Sequence, residues 1–384
     1  MSDANKRGTI VHFVTNVGGG VWSVVKTLAA RQRPRWQTML VGVHRGALGA
    51  GIADDAARLF DRWVFVQRAP IPGIFYLAPL RVTAALTALR IEDEAAPVIH
   101  HFHAGPFTPW VYRLPRQPQP GKWLATFHGS RGSFGDASGI FKSALKRRLH
   151  VAGVAAMRRK GFTLVSVSAR GARDCAEMYH CGERDFRVVY NGTEPDATGL
   201  AATRDRGHPL RVGFVGTVMP AKGWRKVVDA VARLRGDGMK CVCSIVGDGP
   251  DFPELRRLAA QHPEWLSAPG HVEQPEQRVF PSLDVLLLPS LCEGHPQVLL
   301  EAMACGVPCI CSDVGGCAET VRHGQDGYIL RENTVEEIAA HLKRIDVEDG
   351  LWMRLSRNAV ARHAEMFTAG RMAASWEQLY LEGN

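Results

Sequence analysis

The sequence has no cysteine in its first 174 residues; all nine follow. Nor does it contain an unbroken apolar run near the ~18 residues that a membrane-spanning helix needs; "LDVLLLP" is among the longest. The opening "MSDANKRGTIVHFV" passes from a polar tail straight into a strand, without the apolar stretch and small-residue cleavage site of a signal peptide. These absences lead to an expectation of a cytoplasmic protein. Tandem repeats and low-complexity tracts are missing as well. The basic residues lack interleaved aromatics and any known nucleic-acid module, so no nucleic-acid partner is expected.

The late cysteines do not make a zinc site. Cys241/Cys243 and Cys309/Cys311 alternate with apolar residues, so each pair faces one side of a strand, and neither has a second Cys or His pair at ligand spacing. They read as core thiols of a reducing compartment. The run "HHFH" (His100 to His103) ends a strand-like segment without carboxylate partners, and no metal is assigned to it.

The 384 residues, 46% of them hydrophobic and 22% charged, suffice for two domains of ordinary size. Charge is uneven: residues 1–200 hold 27 Lys and Arg against 14 Asp and Glu, while 201–384 hold 20 against 24. The first half would attract something anionic. Short β-rich runs ("GTIVHFVT", "QTMLVGV", "RWVFVQ", "APVIHHF", "KWLATFH", "FTLVSVS", "FRVVYN") alternate with helical stretches, which predicts a doubly wound parallel sheet. A polar segment follows Asn191-Gly192, and the alternation resumes with "LRVGFVG", "KCVCSIVG", "LDVLLLP" and "VPCICSD". The expected division is a first Rossmann-like domain over 1–192, a linker over 193–208 and a second Rossmann-like domain over 209–368. Crevices outside the carboxyl ends of such sheets are where α/β proteins bind ligands.

Five turns carry the chemistry. In "RVGFVGTVMPAKGWRK" a strand ends at Gly216 and Lys222 stands where a helix begins, a place suited to a phosphate or simply to a solvated lysine. "VGDGP" is a second strand–helix turn. Its Gly247 and Gly249, flanking Asp248, either let a base or ribose approach the backbone or merely serve the turn. "EGHPQVLLEAMACGVPCICSDVGG" places Glu293 in the loop after a buried strand, beside the amides of Gly294 and His295. Pro296 follows at the first turn of a helix, and Glu301 sits on its second turn. A carboxylate there can accept two hydrogen bonds from a vicinal diol such as a ribose, while the helix start faces a diphosphate. "NVGGGVWS" could be a dinucleotide fingerprint, but Ser23 stands where a third small packing residue belongs and no acidic residue follows at the right distance. A glycine loop that substrates approach closely fits Gly18, Gly19 and Gly20 better. "KWLATFHGS" ends a strand at His128, placed to bond a sugar hydroxyl or a departing phosphate, or to be structural.

Taken together, "GGGV", "FHGS", "VSVSARGARD", "VVYNG", "AKG", "VGDGP" and the Glu-x₇-Glu segment resemble the retaining glycosyltransferases of family 4, over nearly the whole chain and in the family's order. That resemblance implies the GT-B fold: two Rossmann-like domains facing a central cleft, with a last helix (369–384) crossing back to the first domain. It implies a nucleotide-sugar donor on the second domain and an acceptor on the first. Glu301 would hold the ribose, Glu293 the donor sugar, and Lys222 with Gly18–Gly20 the diphosphate, with His128 near the transferred sugar. Gly216, Thr217, Gly247 to Gly249, Gly294, His295, Pro296, Gln297 and Val298 complete the expected donor site. His128, Glu293 and Lys222 are the expected catalytic residues. No metal or other cofactor is implied, in line with the lack of an Asp-x-Asp motif in a suitable loop. One departure stands out: Thr217 occupies the place where the family commonly has Arg, so either Arg225 or Lys226 substitutes or donor affinity is lower.

For the acceptor, "GIFKSALKRRLHVAGVAAMRRKGF" (139–162) sets seven basic residues among Phe141, Leu145, Leu149 and Val151. It reads either as a basic amphipathic helix on an anionic membrane surface or as a helix with one core face and one charged face. The expectation is a sugar transferase, peripheral on the inner face of the membrane, acting on a glycan or lipid-linked acceptor of a cell-surface polysaccharide or glycolipid. An epimerase of the same fold and a non-catalytic nucleotide-sugar binder are the alternatives.

Overall fold

The computed structural model describes residues 6–14, 17–44, 48–49, 51–67, 89, 97–103, 121–129, 144–194 and 207–382. The chain divides into two compact units, residues 1–192 with 369–384, and residues 193–368.

The first unit is a seven-stranded, all-parallel sheet in the order β3-β2-β1-β4-β5-β6-β7. Its strands are β1 (Thr9–Val14), β2 (Gln37–His44), β3 (Arg62–Gln67), β4 (Val98–His103), β5 (Gly121–Phe127), β6 (Thr163–Ser166) and β7 (Phe186–Val188). β1 and β4 are buried throughout, as expected of strands covered on both faces by crossover helices. Helix α1 (Gly19–Gln32) follows β1, α2 (Ile52–Leu59) follows β2, α3 (Ala144–Arg159) precedes β6, and α4 (Ala169–Tyr179) follows it. Ser168 caps α4 by accepting from the amide of Gly171 at 3.0 Å.

The second unit is a six-stranded parallel sheet, β10-β9-β8-β11-β12-β13. Its strands are β8 (Leu210–Val215), β9 (Cys241–Val246), β10 (Leu266–Gly270), β11 (Val285–Leu288), β12 (Cys309–Ser312) and β13 (Gly327–Leu330). Helices α5 (Trp224–Gly236), α6 (Phe252–Gln261), α7 (Gln297–Ala304), α8 (Val335–Val347) and α9 (Leu351–Met366) join and cover them. Cys241, Cys243, Cys309 and Cys311 lie in this unit's apolar core, as free thiols.

The last helix, α10 (Ala369–Leu381), belongs to the first unit. Met372, Trp376, Leu379 and Tyr380 pack with Ile10, Val24, Leu28 and Trp36. Arg187 and Glu382 form a two-bond ion pair at 2.9 Å, and Arg35 pairs with Glu377 at 2.6 Å. In both sheets the strand order reverses once, between β1 and β4 and between β8 and β11, which creates two switch points for ligands.

The basic segment at 139–162 is described only from Ala144, and the side chains of Ala144, Leu145 and Lys146 lie outside the described residues, as do Phe141 and Lys142. Val154, Ala156 and Met157 face the core with Val151 against it, whereas Arg147, Arg148 and Arg159 are exposed. Exposed Arg158 pairs with Asp185 at 2.7 Å. Among the described residues no helix is long and apolar enough to cross a membrane.

Candidate active site

The second unit's switch point gathers Lys222 and Glu293, which are 71 residues apart in sequence. After β8 the chain runs through Gly216 and the exposed Thr217 into a 3₁₀ turn, Pro220–Lys222, closed by Gly223 in the left-handed region (φ 75°). A Cβ at Gly223 would collide with the carbonyl oxygen of Pro289, and the amide of Leu291 donates to the carbonyl of Ala221 at 2.8 Å. The turn is thereby fastened to the loop after β11. Lys222 Nζ donates to Glu293 Oε1 at 2.7 Å, and Ser290 Oγ donates to the same oxygen at 2.7 Å. Glu293 is buried at 7% exposure, so a lysine ammonium beside it meets the requirement that a buried charge be paired.

The loop's backbone is held from the other side by "SDVGG". Gly315 has φ 51°, and a Cβ there would strike the carbonyl oxygen of Glu293, while the amide of Gly316 donates to the carbonyl of Gly294. Pro296 is the N-cap of α7, one position outside the helix, and Gln297 is its first residue. The side chain of Gln297 is buried, with neither amide atom partnered among the described residues. His295 is buried beside Phe367, with ring centroids 5.3 Å apart, and burial pushes its pKa down to about 3. Val298 is half-buried on the first turn, and Glu301 is half-buried on the next. Burial, and then the charge of Glu276, raise the Glu301 carboxyl to about 7. No described residue hydrogen-bonds it.

Gly247 and Gly249 are accounted for by chain packing. Both have positive φ (137° and 159°), and a Cβ on them would strike the carbonyl oxygens of Gly216 and Val218. The two loops are also tied by the amide of Val218 donating to the Asp248 carbonyl at 2.9 Å, with the Asp248 side chain itself exposed. The Cβ side of each glycine is filled by the neighbouring loop, so the turn itself requires glycine there. Arg225 and Lys226, the cations named as possible substitutes for the missing arginine, both have partners of their own. Arg225 pairs with Glu254 and lies 4.6 Å over the Trp224 ring, and Lys226 Nζ donates to the carbonyl of Asn333 at 2.6 Å.

In the first unit the glycine loop stands at the end of β1. Gly18 (φ 138°) is the N-cap of α1, Gly19 has φ 65°, and an added Cβ at Gly18, Gly19 or Gly20 meets nothing within 4 Å. The loop therefore combines a backbone that favours glycine at Gly18 and Gly19 with space that no described residue fills. His128 follows β5, half-buried. Its Nε2 lies 3.3 Å from Nδ1 of His103, the last residue of β4, and burial lowers its pKa to about 4. Ser290 and His103 are the neighbours that reading the sequence missed. For Ser290 the available signal was a hydroxyl three residues before Glu293, at the end of an apolar strand.

With that geometry in view, residues 209–345 match the model of the family described as Glycosyl transferases group 1. The chain is 28% identical over 261 residues to glycogen synthase of Mycobacterium tuberculosis, across 67% of this chain and 62% of that enzyme, so the match spans under two thirds of the relative. Sucrose-phosphate synthase of Thermosynechococcus elongatus superimposes with a TM-score of 0.75 at 19% identity, over 98% of both chains. HepE of Anabaena, solved in complex with UDP-glucose, does so with a TM-score of 0.73 at 16% identity, over 97% of this chain and 98% of that one. The fold is GT-B, with two Rossmann-like parallel-sheet domains, and the segment that holds Lys222, Glu293 and Glu301 is the one similar to the glycosyltransferase family domain.

Proposed function

We propose that the chain is a retaining, metal-independent glycosyltransferase of family 4. It moves a hexose from a nucleotide-diphosphate sugar to a glycan or lipid-linked acceptor in cell-surface polysaccharide or glycolipid synthesis. The observation that carries this reading is the constellation at the second switch point: Lys222 and Ser290 on one oxygen of Glu293, with Glu301 farther along α7. Glu301 accepts the two ribose hydroxyls. Glu293, held through Oε1, offers Oε2 to a hydroxyl of the donor sugar. The start of α7 faces the diphosphate through its first N–H groups, which have no partner within a helix.

As the bond between the anomeric carbon and the diphosphate oxygen breaks, positive charge grows on the sugar and negative charge on the leaving nucleotide. Lys222 and the helix start stabilise the latter, and the acceptor hydroxyl enters from the same face as the leaving group. Its proton passes to the departing phosphate, so charge balances without a side-chain nucleophile. Within the first unit, Gly18 to Gly20 are the proposed contact for a phosphate and His128 for a sugar hydroxyl. Gly216, Thr217, the Gly247–Gly249 turn, His295, Gln297 and Val298 line the donor, Thr217 with a hydroxyl in place of a guanidinium. The exposed arginines of α3 favour an electrostatic contact with an anionic membrane face over apolar insertion, because the described apolar side of that helix is already packed.

The test is nucleotide release from a panel of nucleotide sugars, with and without glycan and lipid-linked acceptors and with EDTA present. Release that needs an acceptor and survives EDTA supports the reading. Conversion of the donor without an acceptor would indicate an epimerase, and binding without turnover across the panel a non-catalytic binder.

A further inference from the structure

Behind His128 the first unit buries a row of groups for which the proposed reaction has no stated use. His12 Nε2 lies 2.8 Å from Gln32 Oε1, and His12 Nδ1 lies 2.9 Å from His103 Nε2. His103 Nδ1 in turn lies 3.3 Å from His128 Nε2. At the far end, Gln32 Nε2 donates to the Tyr380 hydroxyl at 3.1 Å, which sits 2.7 Å from His101 Nδ1, and His101 Nε2 lies 2.7 Å from Thr126 Oγ1. Gln32, His12 and His103 are each at most 4% exposed.

A neutral imidazole has one N–H and one lone pair, so a chain of them must run in a single direction. Gln32 sets that direction. Its carbonyl oxygen faces His12, so His12 Nε2–H donates to it and His12 Nδ1 must accept. His103 Nε2–H then donates to His12, and His103 Nδ1 accepts from His128 Nε2–H. The remaining nitrogen of His128, Nδ1, is left with a lone pair, and no described residue pairs with it. At the amide's other end the Tyr380 oxygen accepts from Gln32 and so gives its own proton to His101. Neutrality is supported independently, because burial holds His12 and His128 down to about 4 and His103 well below its usual value.

His12, His101 and His103 are also close enough to suggest a metal site, their ligand atoms lying within 4.8 Å of one another. Ring geometry argues against it. Imidazole lone pairs lie in the ring plane, and the rings of His101 and His103 overlap with centroids 3.8 Å apart at 32°, while those of His12 and His103 are 5.2 Å apart at 26°. Overlapping rings aim their lone pairs poorly at one point, and both ring nitrogens of His12, His101 and His103 already have hydrogen-bond partners.

We infer that Gln32, His12 and His103 are positioning residues: together they hold His128 as its Nε2–H tautomer, so that Nδ1 accepts a hydrogen bond from a sugar hydroxyl of the substrate. The functional half of this inference rests on the proposed transfer reaction; the tautomer itself does not.

The experiment is a long-range ¹H–¹⁵N spectrum of histidine-labelled protein at pH 7, with the His128 signals assigned by their loss in His128→Gln. The parent should show His128 neutral and protonated at Nε2. In Gln32→Met, checked for folding by its thermal transition, the His128 pattern should move toward Nδ1–H. Nucleotide release should then fall about two- to tenfold in kcat, the scale of one hydrogen bond between neutral groups, with donor KM changed less than about twofold. An Nδ1–H or charged His128 in the parent overturns the inference without any variant. So does an unchanged tautomer in folded Gln32→Met, or stoichiometric zinc binding that shifts the His12, His101 and His103 signals. A tautomer that moves while kcat does not overturns the positioning role. If the parent transfers no sugar at all, the transferase reading fails, and the spectra still judge the chain of hydrogen bonds alone.

Discussion

Glu301 offers a prediction whose sign and size both follow from its surroundings. Its carboxyl is raised to about 7 in the ligand-free protein, first by burial and then by Glu276. A ribose diol gives two O–H donors to this group, and the ionised form accepts both far more strongly than the protonated one. The nucleotide therefore binds the carboxylate and drives off the proton. Above pH 8 the group is already ionised and no proton need leave. At pH 6 about nine molecules in ten carry the proton, and apparent affinity should be about tenfold weaker than at pH 8, equivalent to ~1.4 kcal/mol. The ligand-free protein changes in the opposite sense. A carboxyl raised on folding favours the folded state below its unfolded pKa, and that contribution is lost as pH rises through about 7. The thermal shift produced by donor should accordingly be larger at pH 8 than at pH 6. The assay is calorimetric titration with a nucleotide sugar, whose diphosphate diester has no proton of its own in this range, in two buffers of different ionisation enthalpy. Glu276→Gln should move the midpoint to lower pH, and Glu301→Gln should weaken binding and flatten the dependence. Parent affinity that stays level from pH 5.5 to 8.5 would refute the assignment of Glu301 to the ribose.

Three further outcomes follow from the same geometry. Lys222→Ala removes the cation from Glu293 and from the leaving group, and should lower kcat about ten- to a hundredfold, equivalent to roughly 1.5–3 kcal/mol, measured as nucleotide release under donor saturation. Gly315→Ala puts a methyl group against the carbonyl of Glu293 at a φ of 51°; denaturant titration should show a loss of about 1–3 kcal/mol, with turnover falling as Glu293 shifts. Trp376→Ala empties the seat of α10 on the first sheet and should cost about 3–5 kcal/mol, read as a lower unfolding midpoint.

What the sequence displayed was whatever is local. The alternation of buried strands and helices identified both sheets, and "EGHPQVLLE" carries its carboxylates, cap and helix within nine residues. What it hid depends on partners far along the chain. The pairing of Lys222 with Glu293 is made by two loops that meet only because β8 and β11 are neighbours in the sheet. Arg225 and Lys226 looked like spare cations until Glu254 and the backbone of Asn333 were seen to hold them. Nor does the turn sequence show that the Cβ sides of Gly247 and Gly249 pack against the Gly216–Val218 loop. Strands β10 ("LSAPG") and β13 ("GYIL") were absent from the expectation. Both are edge strands of at most five residues, one containing a proline, and their pattern is too short to stand out from turn sequence. In β4, "HHFH" ends a strand as expected, but the partners of its histidines come from β1, β5 and α10, which no spacing within the run could show.

The central claim is that the loop after β11 and the start of α7 hold a nucleotide-activated sugar. The most direct test is thermal-shift and calorimetric binding of a panel of nucleotide sugars to EDTA-treated protein, the parent beside Glu301→Ala. The account predicts that one nucleotide binds the parent without metal and loses its binding in the variant. Equal binding to both proteins, or none to the parent by any member of the panel, would contradict it.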